Sequence, residues 1–346
     1  MTYSDRWDPM GRNNEPEFSI VIPVHNRPES LNLCLASIYT QKPGKFETLV
    51  IDDGSTENLK EVAGKYPVRY FRIDEKKGPA TARNFGAKHA KGGIIVFIDS
   101  DVLVEDGFLQ RIRKAFEDDK EIAAVQGNYT PMPYHKGFFS EFKNMTLHYH
   151  FQGIPRYANS IASFCTAIRK DIFLGNGGFD QRVRNASIED EEFGVKLTRK
   201  GHKIRYDNGL QVKHMKRFTF LSLVKQEYRT GFDKIKSLLR RKNLFDRREL
   251  RGSHSSFSLL ASIPLSAFIL LSTAWLIADP YTLSIAVFAA LMVAFLLMNA
   301  DYFRFMKRTK SGLFAVCAAM FSIIDYFSIC TGIVFGLIHY GMGNKY

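Results

Sequence analysis

Ile94-Ile-Val-Phe-Ile-Asp-Ser-Asp101 sets five apolar residues, four of them β-branched, directly before two carboxylates spaced one residue apart. An apolar run without polar alternation predicts a strand buried on both faces, as in a parallel sheet covered by helices. The neighbouring segments fit that sheet. Phe18–Val24, Glu47–Asp52, Val68–Ile73 and Ile122–Gly127 read as further strands. Between them, Pro28–Tyr39 places Leu31, Leu35 and Ile38 on one helical face, Asn58–Gly64 reads as a short helix, Pro79–Ala90 opens on a proline suited to a first helical position, and Asp106–Phe116 is helical. Strands alternating with helices predict an α/β domain with a mostly parallel, Rossmann-like sheet. Ligands then bind beyond the carboxyl ends of its strands.

That rule makes the acidic residues informative. The second strand ends at Asp52-Asp53-Gly54-Ser55 and the fourth at Asp99-Ser100-Asp101, on one edge of the sheet. Asp99 and Asp101 suit a hard cation, Mg²⁺ or Mn²⁺, which takes oxygen ligands and bridges phosphates. Asp52 and Asp53 fit either a ligand contact or the capping of an Asp-Gly turn. Gly78 lets the chain approach a ligand closely, and Arg83, one turn into the following helix, reaches for a carboxylate or phosphate; the same segment also reads as a plain helix start. In Ile188-Glu-Asp-Glu-Glu-Phe-Gly-Val-Lys-Leu197, Phe193 and Leu197 mark an apolar helical face behind an acidic first turn. The helix dipole is expected to lower the pKa of a carboxyl there, keeping Asp190 ionised at neutral pH.

The charge is unevenly spread. Of 48 Lys and Arg and 35 Asp and Glu, five and three respectively lie in residues 253–346. A basic, water-compatible body therefore carries an almost uncharged tail, which excludes wholesale disorder and a purely soluble protein. Phe257–Ala278 and Tyr281–Ala300 run 22 and 20 residues without a charge, and Leu313–Ile338 is apolar over 26 except for Asp325. Each is long enough to cross a hydrocarbon core of roughly 30 Å. Soluble core helices seldom stay uncharged that long, so about three spans are expected over 253–346, the last crossing or re-entering. Asp325 in that stretch reads as functional or as a partner of a neighbouring helix. The Asp279-Pro280 turn has no Lys or Arg, whereas Arg304–Lys310 has four. The positive-inside rule then puts the body in the cytoplasm and, if the last stretch spans, the C-terminus across a cell membrane.

Ahead of the spans, residues 217–252 interleave Lys and Arg with Phe218, Phe220, Leu221, Leu223, Val224, Tyr228, Phe232, Ile235, Leu238 and Leu239. They read as amphipathic interfacial helices. No nucleic-acid motif accompanies the charge, so no nucleic-acid partner is expected. Cys34, Cys165, Cys317 and Cys330 have no metal-type spacing. Residues 1–17 read as a loose polar tail without a signal-peptide core. The Asn-x-Ser/Thr sites at Asn128, Asn144 and Asn185 are read as chance occurrences.

Five segments in order, Pro23-Val-His-Asn-Arg27, Ile51-Asp-Asp-Gly-Ser55, Gly78-Pro-Ala-Thr-Ala-Arg-Asn84, Asp99-Ser-Asp101 and Ile188-Glu-Asp-Glu-Glu192, resemble the family 2 glycosyltransferases, inverting enzymes of GT-A fold. The resemblance runs from about Phe18 to Gly231, with the catalytic domain expected over 18–216. It implies that Pro23, His25, Asn26, Arg27, Asp52, Asp53, Gly78, Arg83 and Asp99 hold a nucleotide sugar, a UDP-sugar ahead of a GDP-sugar. It implies Asp101 and Asp99 at the metal, with His214 either adding a metal or diphosphate contact or serving as a strand-end histidine. It makes Asp190 the catalytic base and puts Gly178, Phe179, Asp180, Glu189, Gln226 and Arg229 on the sugar and acceptor side. Processive members carry Gln-x-x-Arg-Trp; here Gln226-Glu-Tyr-Arg229 is followed by Thr230, which argues against polymer synthesis. The expected function is transfer of a sugar to a lipid or lipid-linked saccharide at the membrane, in cell-envelope polysaccharide biosynthesis. A polyprenyl-phosphate sugar synthase is the alternative within enzymes; a transporter or anchor with a nucleotide-binding regulatory domain is the alternative outside them.

Overall fold

The computed structural model describes residues 15–41, 45–182, 188–240 and 257–344. Expectations for residues 1–14, for 241–256 at the end of the interfacial segment and start of the tail, and for Asn185 lie outside the described residues. The chain divides into two units, one of residues 1–134 and 154–216, the other of residues 135–153 and 217–346. Residues 135–153, expected inside the first domain, thus belong with the helical unit.

The first unit is built on a nine-stranded sheet. β1 (Phe18–Val24), β2 (Phe46–Asp53), β3 (Arg69–Ile73) and β4 (Ile94–Ile98) form its first half in the order β3-β2-β1-β4, all parallel. β1 and β4 are buried along their whole length, as their apolar runs require. α1 (Pro28–Tyr39), α2 (Leu59–Ala63) and α3 (Pro79–His89) supply the crossovers. α2 is capped by Asn58, whose Oδ1 accepts from the Glu61 amide at 3.3 Å.

Beyond β4 the parallel expectation gives way to a mixed sheet. β5 (Val102–Val104), β6 (Ile122–Tyr129), β7 (Tyr157–Ala158), β8 (Cys165–Arg169) and β9 (Lys203–His214) continue it. β8 runs antiparallel to both β4 and β6. β9 is parallel to β6 but antiparallel to β5 and β7. α4 (Phe108–Asp118), α6 (Lys170–Gly175) and α7 (Glu189–Arg199) complete this unit, α5 being the inserted helix described next. Phe97 of β4, Phe173 of α6, Phe179 and Phe193 of α7 pack ring to ring at 5.0–5.3 Å. That cluster anchors the Gly178 loop and the start of α7 against the sheet.

The second unit contains α5 (Phe138–Gln152), α8 (Phe220–Arg240), α9 (Phe257–Ala278), α10 (Thr282–Met298), α11 (Ala300–Thr309) and α12 (Gly312–Gly341). Ser258–Ala278 and Gly312–Gly341 are long and apolar enough to cross a membrane, and α10 with α11 makes a third candidate bent by 63°. The bend falls at Asn299, whose Nδ2 donates to Ser262 Oγ at 2.8 Å and to the Phe295 carbonyl at 2.9 Å. α8 and α12 touch backbone to backbone through glycines. A Cβ on Gly332 would lie 2.0 Å from the Tyr228 carbonyl oxygen, and one on Gly231 2.2 Å from that of Ile329. Asp325 is buried in this unit, close enough to Lys143 to act on its charge. Lys143 Nζ pairs with Glu227 at 2.6 Å. Burial would lower the Lys143 pKa, but the carboxylates of Glu227 and Asp325 outweigh it and hold the ammonium above its ordinary value.

Candidate active site

The loops after β1, β2 and β4 meet at the carboxyl edge of the sheet. Asn26, after β1, has φ +50, a region asparagine tolerates better than most residues. Its Oδ1 accepts from the Thr56 amide at 2.8 Å and its own amide donates to Ser55 Oγ at 3.0 Å. His25 Nδ1 sits 2.9 Å from the Asp53 carbonyl oxygen. The β1 and β2 loops are therefore tied to each other before any ligand is considered.

The two aspartates ending β2 have different duties. Asp52, fully buried, accepts from the Ser55 amide at 2.8 Å, from Tyr70 Oη at 2.5 Å and from Arg72 at 3.1 Å. Asp53 accepts the Lys77 and Gly78 amides, one on each oxygen, both at 2.8 Å. Asp52 is thus a turn cap and Asp53 a clamp on the loop that opens α3. Gly78 has φ +94, which a side chain would strain.

Arg83 is the hub of the site. It is buried, and its guanidinium donates to Asp99 Oδ1 at 2.7 Å and to Glu189 Oε1 at 2.9 Å. The two carboxylates oppose the burial cost, and Arg83 stays charged. Of the carboxylate or phosphate expected for it, the structure shows carboxylates. The next residue, Asn84, donates to the Phe179 carbonyl at 2.8 Å and accepts the Phe179 amide at 2.9 Å. That bidentate clamp, which the sequence did not announce, fixes the Gly178-Phe179-Asp180 loop. Asp180 itself is engaged by Arg182 at 2.7 Å.

Asp101 is nearly buried and pairs with Arg27 across the edge. Burial alone would raise its pKa, but His214 and Arg27 outweigh that and hold it below the usual carboxylate range. His214 ends β9 opposite Val102 of β5, and its ring stacks on Tyr129 at 4.8 Å. Burial pushes its pKa down, with Asp101 pulling the other way. Pro23 is buried within β1 and supports the loop from behind.

Asp190 sits in the first turn of α7, half-buried. Ser163 donates to its Oδ2 from both the backbone amide at 2.7 Å and Oγ at 2.8 Å, and the Glu191 amide donates to Oδ1 at 2.8 Å. The expectation that the helix start lowers its pKa is reversed. Desolvation outweighs Arg83 and these three donors and holds the carboxyl above its ordinary value. Ser163 carried no sequence signal, because its loop holds no acid and no glycine pattern. Gln226 and Arg229 lie on α8 in the helical unit, Gln226 half-buried and Arg229 exposed.

The comparisons with known proteins agree with this architecture. The family model for Glycosyl transferase family 2 matches residues 19–174. Glycosyltransferase AglE of Haloferax volcanii is 34% identical over 103 residues, covering 28% of this chain and 34% of that protein. An uncharacterised glycosyltransferase of Haemophilus influenzae is 29% identical over 190 residues, covering 52% of this chain and 61% of that protein. The chain therefore matches from a third to three fifths of these relatives' lengths. Among solved structures, the mannosyltransferase PcManGT from Pyrobaculum calidifontis, in complex with GDP-Man and Mn²⁺, superposes with a TM-score of 0.63 at 17% identity. That alignment covers 92% of this chain and 90% of PcManGT. Residues 19–174 thus match the family 2 glycosyltransferase model, and the mixed sheet they help to build has the GT-A-like fold of the solved neighbour.

Proposed function

We propose that the chain is a membrane-attached, inverting glycosyltransferase that moves a sugar from a nucleoside-diphosphate sugar to a lipid or lipid-linked saccharide on the cytoplasmic face. The observation that carries this reading is the edge itself. A buried guanidinium, Arg83, joins the Asp99–Asp101 strand end to Glu189 beside Asp190, so a diphosphate site and a candidate base share one rigid frame.

The donor set fits a divalent cation. Asp101 is buried with a cationic group, Arg27, already against it, and Asp99 and His214 stand nearby in sequence and sheet register. Among the described residues no three His, Cys, Asp or Glu side chains close on one point. That suits Mg²⁺ or Mn²⁺, which leave much of their shell to phosphate oxygens and water. When bound, such a cation offsets the negative charge that develops on the leaving diphosphate.

The chain's own residues do the rest. The Asn26, Asp53 and Gly78 loops hold the nucleotide, and Arg27 exchanges Asp101 for the diphosphate. Asp190 takes the proton of the acceptor hydroxyl as its oxygen attacks the anomeric carbon. The bond to the diphosphate breaks on the opposite side, so configuration inverts and no covalent intermediate forms. The α9–α10 hairpin, which has no Lys or Arg at its Asp279-Pro280 turn, attaches the enzyme by crossing the membrane twice.

The test uses the purified full chain in detergent with a panel of UDP- and GDP-sugars and Mn²⁺, recording nucleotide release with and without membrane-lipid extract. Lipid-dependent release with one donor is expected. Asp190→Asn should keep nucleotide-sugar binding and lose about 10²-fold or more in transfer. Full transfer in a folded, nucleotide-binding Asp190→Asn variant refutes the base and favours an acceptor that arrives ionised, such as a polyprenyl phosphate.

A further inference from the structure

α12 is the longest candidate span among the described residues, yet its neighbours oppose that role. α8 lies beside α12 in parallel over nearly its whole length. Phe220 meets Phe321 at 5.9 Å, Gly231 abuts Ile329, Gly332 abuts Tyr228, and Phe232 meets His339 at 5.3 Å. α8 carries seven charged residues among its 21, five basic and two acidic, and Lys225 and Arg229 are exposed. The part of α12 ahead of this flank, 312–320, is roughly 13 Å long at 1.5 Å per residue, under half a hydrocarbon core. Were α12 to cross the bilayer, its companion would carry Lys225 and Arg229 into the hydrocarbon, where charge is costly.

The hairpin gives a second, independent observation. α12 shares one apolar cluster with the hairpin, to which α9 contributes residues between Leu259 and Ile269 and α10 residues between Phe288 and Phe295, the ends nearest the Arg304–Lys310 loop. The far half of the hairpin stands clear of this cluster, with Leu271, Ile277, Tyr281, Leu283 and Ile285 exposed at 51–79%. A span accompanying the hairpin through the membrane would meet it along its length. α12 instead meets it at one end.

We propose that α12 lies in the plane of the membrane at the base of the hairpin, with α8 as its charged flank, and does not cross the bilayer. Its open face carries Leu313, Val316, Met320 and Ile324 at three- and four-residue spacing and, eleven residues on and on the same face, Phe335 and Ile338, the pattern of a helix laid on an apolar surface. The occupant of that stripe is the acyl boundary of an anionic leaflet. Lys225 and Arg229 on α8, and Lys307 and Arg308 ahead of α12, supply the complementary charge for the headgroups. Asp325 lies off the stripe, buried near Lys143, so its carboxyl does not face lipid. The C-terminus then stays on the catalytic side, opposite to the expectation for a third span.

The test measures depth and sidedness on the full chain. In a Trp7→Phe, Trp275→Phe background, single tryptophans replace Val316, Ile324 or Phe335, and the protein is reconstituted into phosphatidylcholine–phosphatidylglycerol vesicles. Bromine is placed either near the lipid headgroup or near the chain end. An in-plane helix gives preferential quenching by the shallow bromine at all three sites, equal within about twofold. Strongest quenching of the Ile324 site by the deep bromine, with the other two shallow, overturns the proposal. Sidedness needs no substitution: a reporter fused after Tyr346 that fluoresces only in the cytoplasm should be bright. Activity from a reporter that works only across the membrane refutes the placement whatever the tryptophan variants do.

Discussion

Ser163→Ala tests the proposed base, Asp190, at its support. The substitution removes the 2.8 Å Oγ contact to Asp190 Oδ2 but leaves the 2.7 Å backbone donor and the Glu191 amide in place. All three donors favour the ionised carboxylate, against a burial cost that already raises its pKa. A hydrogen bond to a charged group contributes about 1.5 kcal/mol, and 1.36 kcal/mol corresponds to a factor of ten in an ionisation equilibrium. Losing one such bond should therefore cut the deprotonated fraction roughly tenfold wherever protonation limits the rate.

The consequence is a pH signature. With saturating metal and donor, kcat/KM for the acceptor should fall about tenfold at the acid end of the profile and be nearly unchanged at the alkaline end, where Asp190 is ionised in both proteins. Nucleotide binding by calorimetry should not move, because Ser163 touches Asp190 and not the Asp101 side. A uniform loss at every pH, or a shift in nucleotide affinity, would refute the reasoning and leave Ser163 as a loop-packing residue. Ser163→Thr, which keeps the hydroxyl, should recover most of the acid-side rate.

Three further outcomes follow from the geometry. An acid whose folded pKa is raised contributes stability that is present at low pH and lost as pH rises through that pKa, so Asp190→Asn should raise the melting temperature at neutral pH, with the gain shrinking toward pH 4. Gly178 has φ +68, and a Cβ there would lie 2.5 Å from Asn84 Oδ1; Gly178→Ala should lower stability by about 2 kcal/mol in denaturant titration and loosen the loop that carries Asp180. Lys143→Met leaves the buried Glu227 without its 2.6 Å partner and should cost about 3–5 kcal/mol; pairing it with Glu227→Gln should restore more than half, read by thermal unfolding of the detergent-solubilised chain.

The first half of the sheet was legible because its strands are buried on both faces. Phe18–Val24 and Ile94–Ile98 are unbroken apolar runs, and nothing else of that length and composition fits a covered parallel strand. β9 was not read from periodicity, because Asp207-Asn-Gly209 interrupts its alternation of buried and open residues. β8 is five residues including Thr166 and Arg169, too short and too polar to stand out. Its reversal between β4 and β6 converts a parallel sheet into a mixed one, and pairing direction leaves no mark on a five-residue string. α5 was not read either, and nothing in its sequence tells that the chain leaves one unit at Tyr134 and rejoins it at Ile154.

Within the site, the sequence pointed to the acids at the sheet edge but not to their different contacts. Asp53 and Asp99 both follow apolar strands, so the sequence treats them alike. Yet both Asp53 oxygens are consumed by the Lys77 and Gly78 amides, while Asp99 keeps an exposed edge beside Arg83. The dipole argument for Asp190 failed for a related reason. A helix start offers partial charge that is easily judged from sequence, whereas desolvation depends on what the fold brings around Asp190, the Ser163 loop included. The two terms have opposite signs, and burial wins. A carboxyl raised this way accepts a proton more readily than one tuned by the dipole alone, which suits a base facing an acceptor hydroxyl. Ser163 sets the limit on that gain, since its two donors favour the ionised carboxylate. The stability that Asp190 forgoes at neutral pH and the basicity it gains therefore have one origin, and a substitution that relieves the first must remove the second.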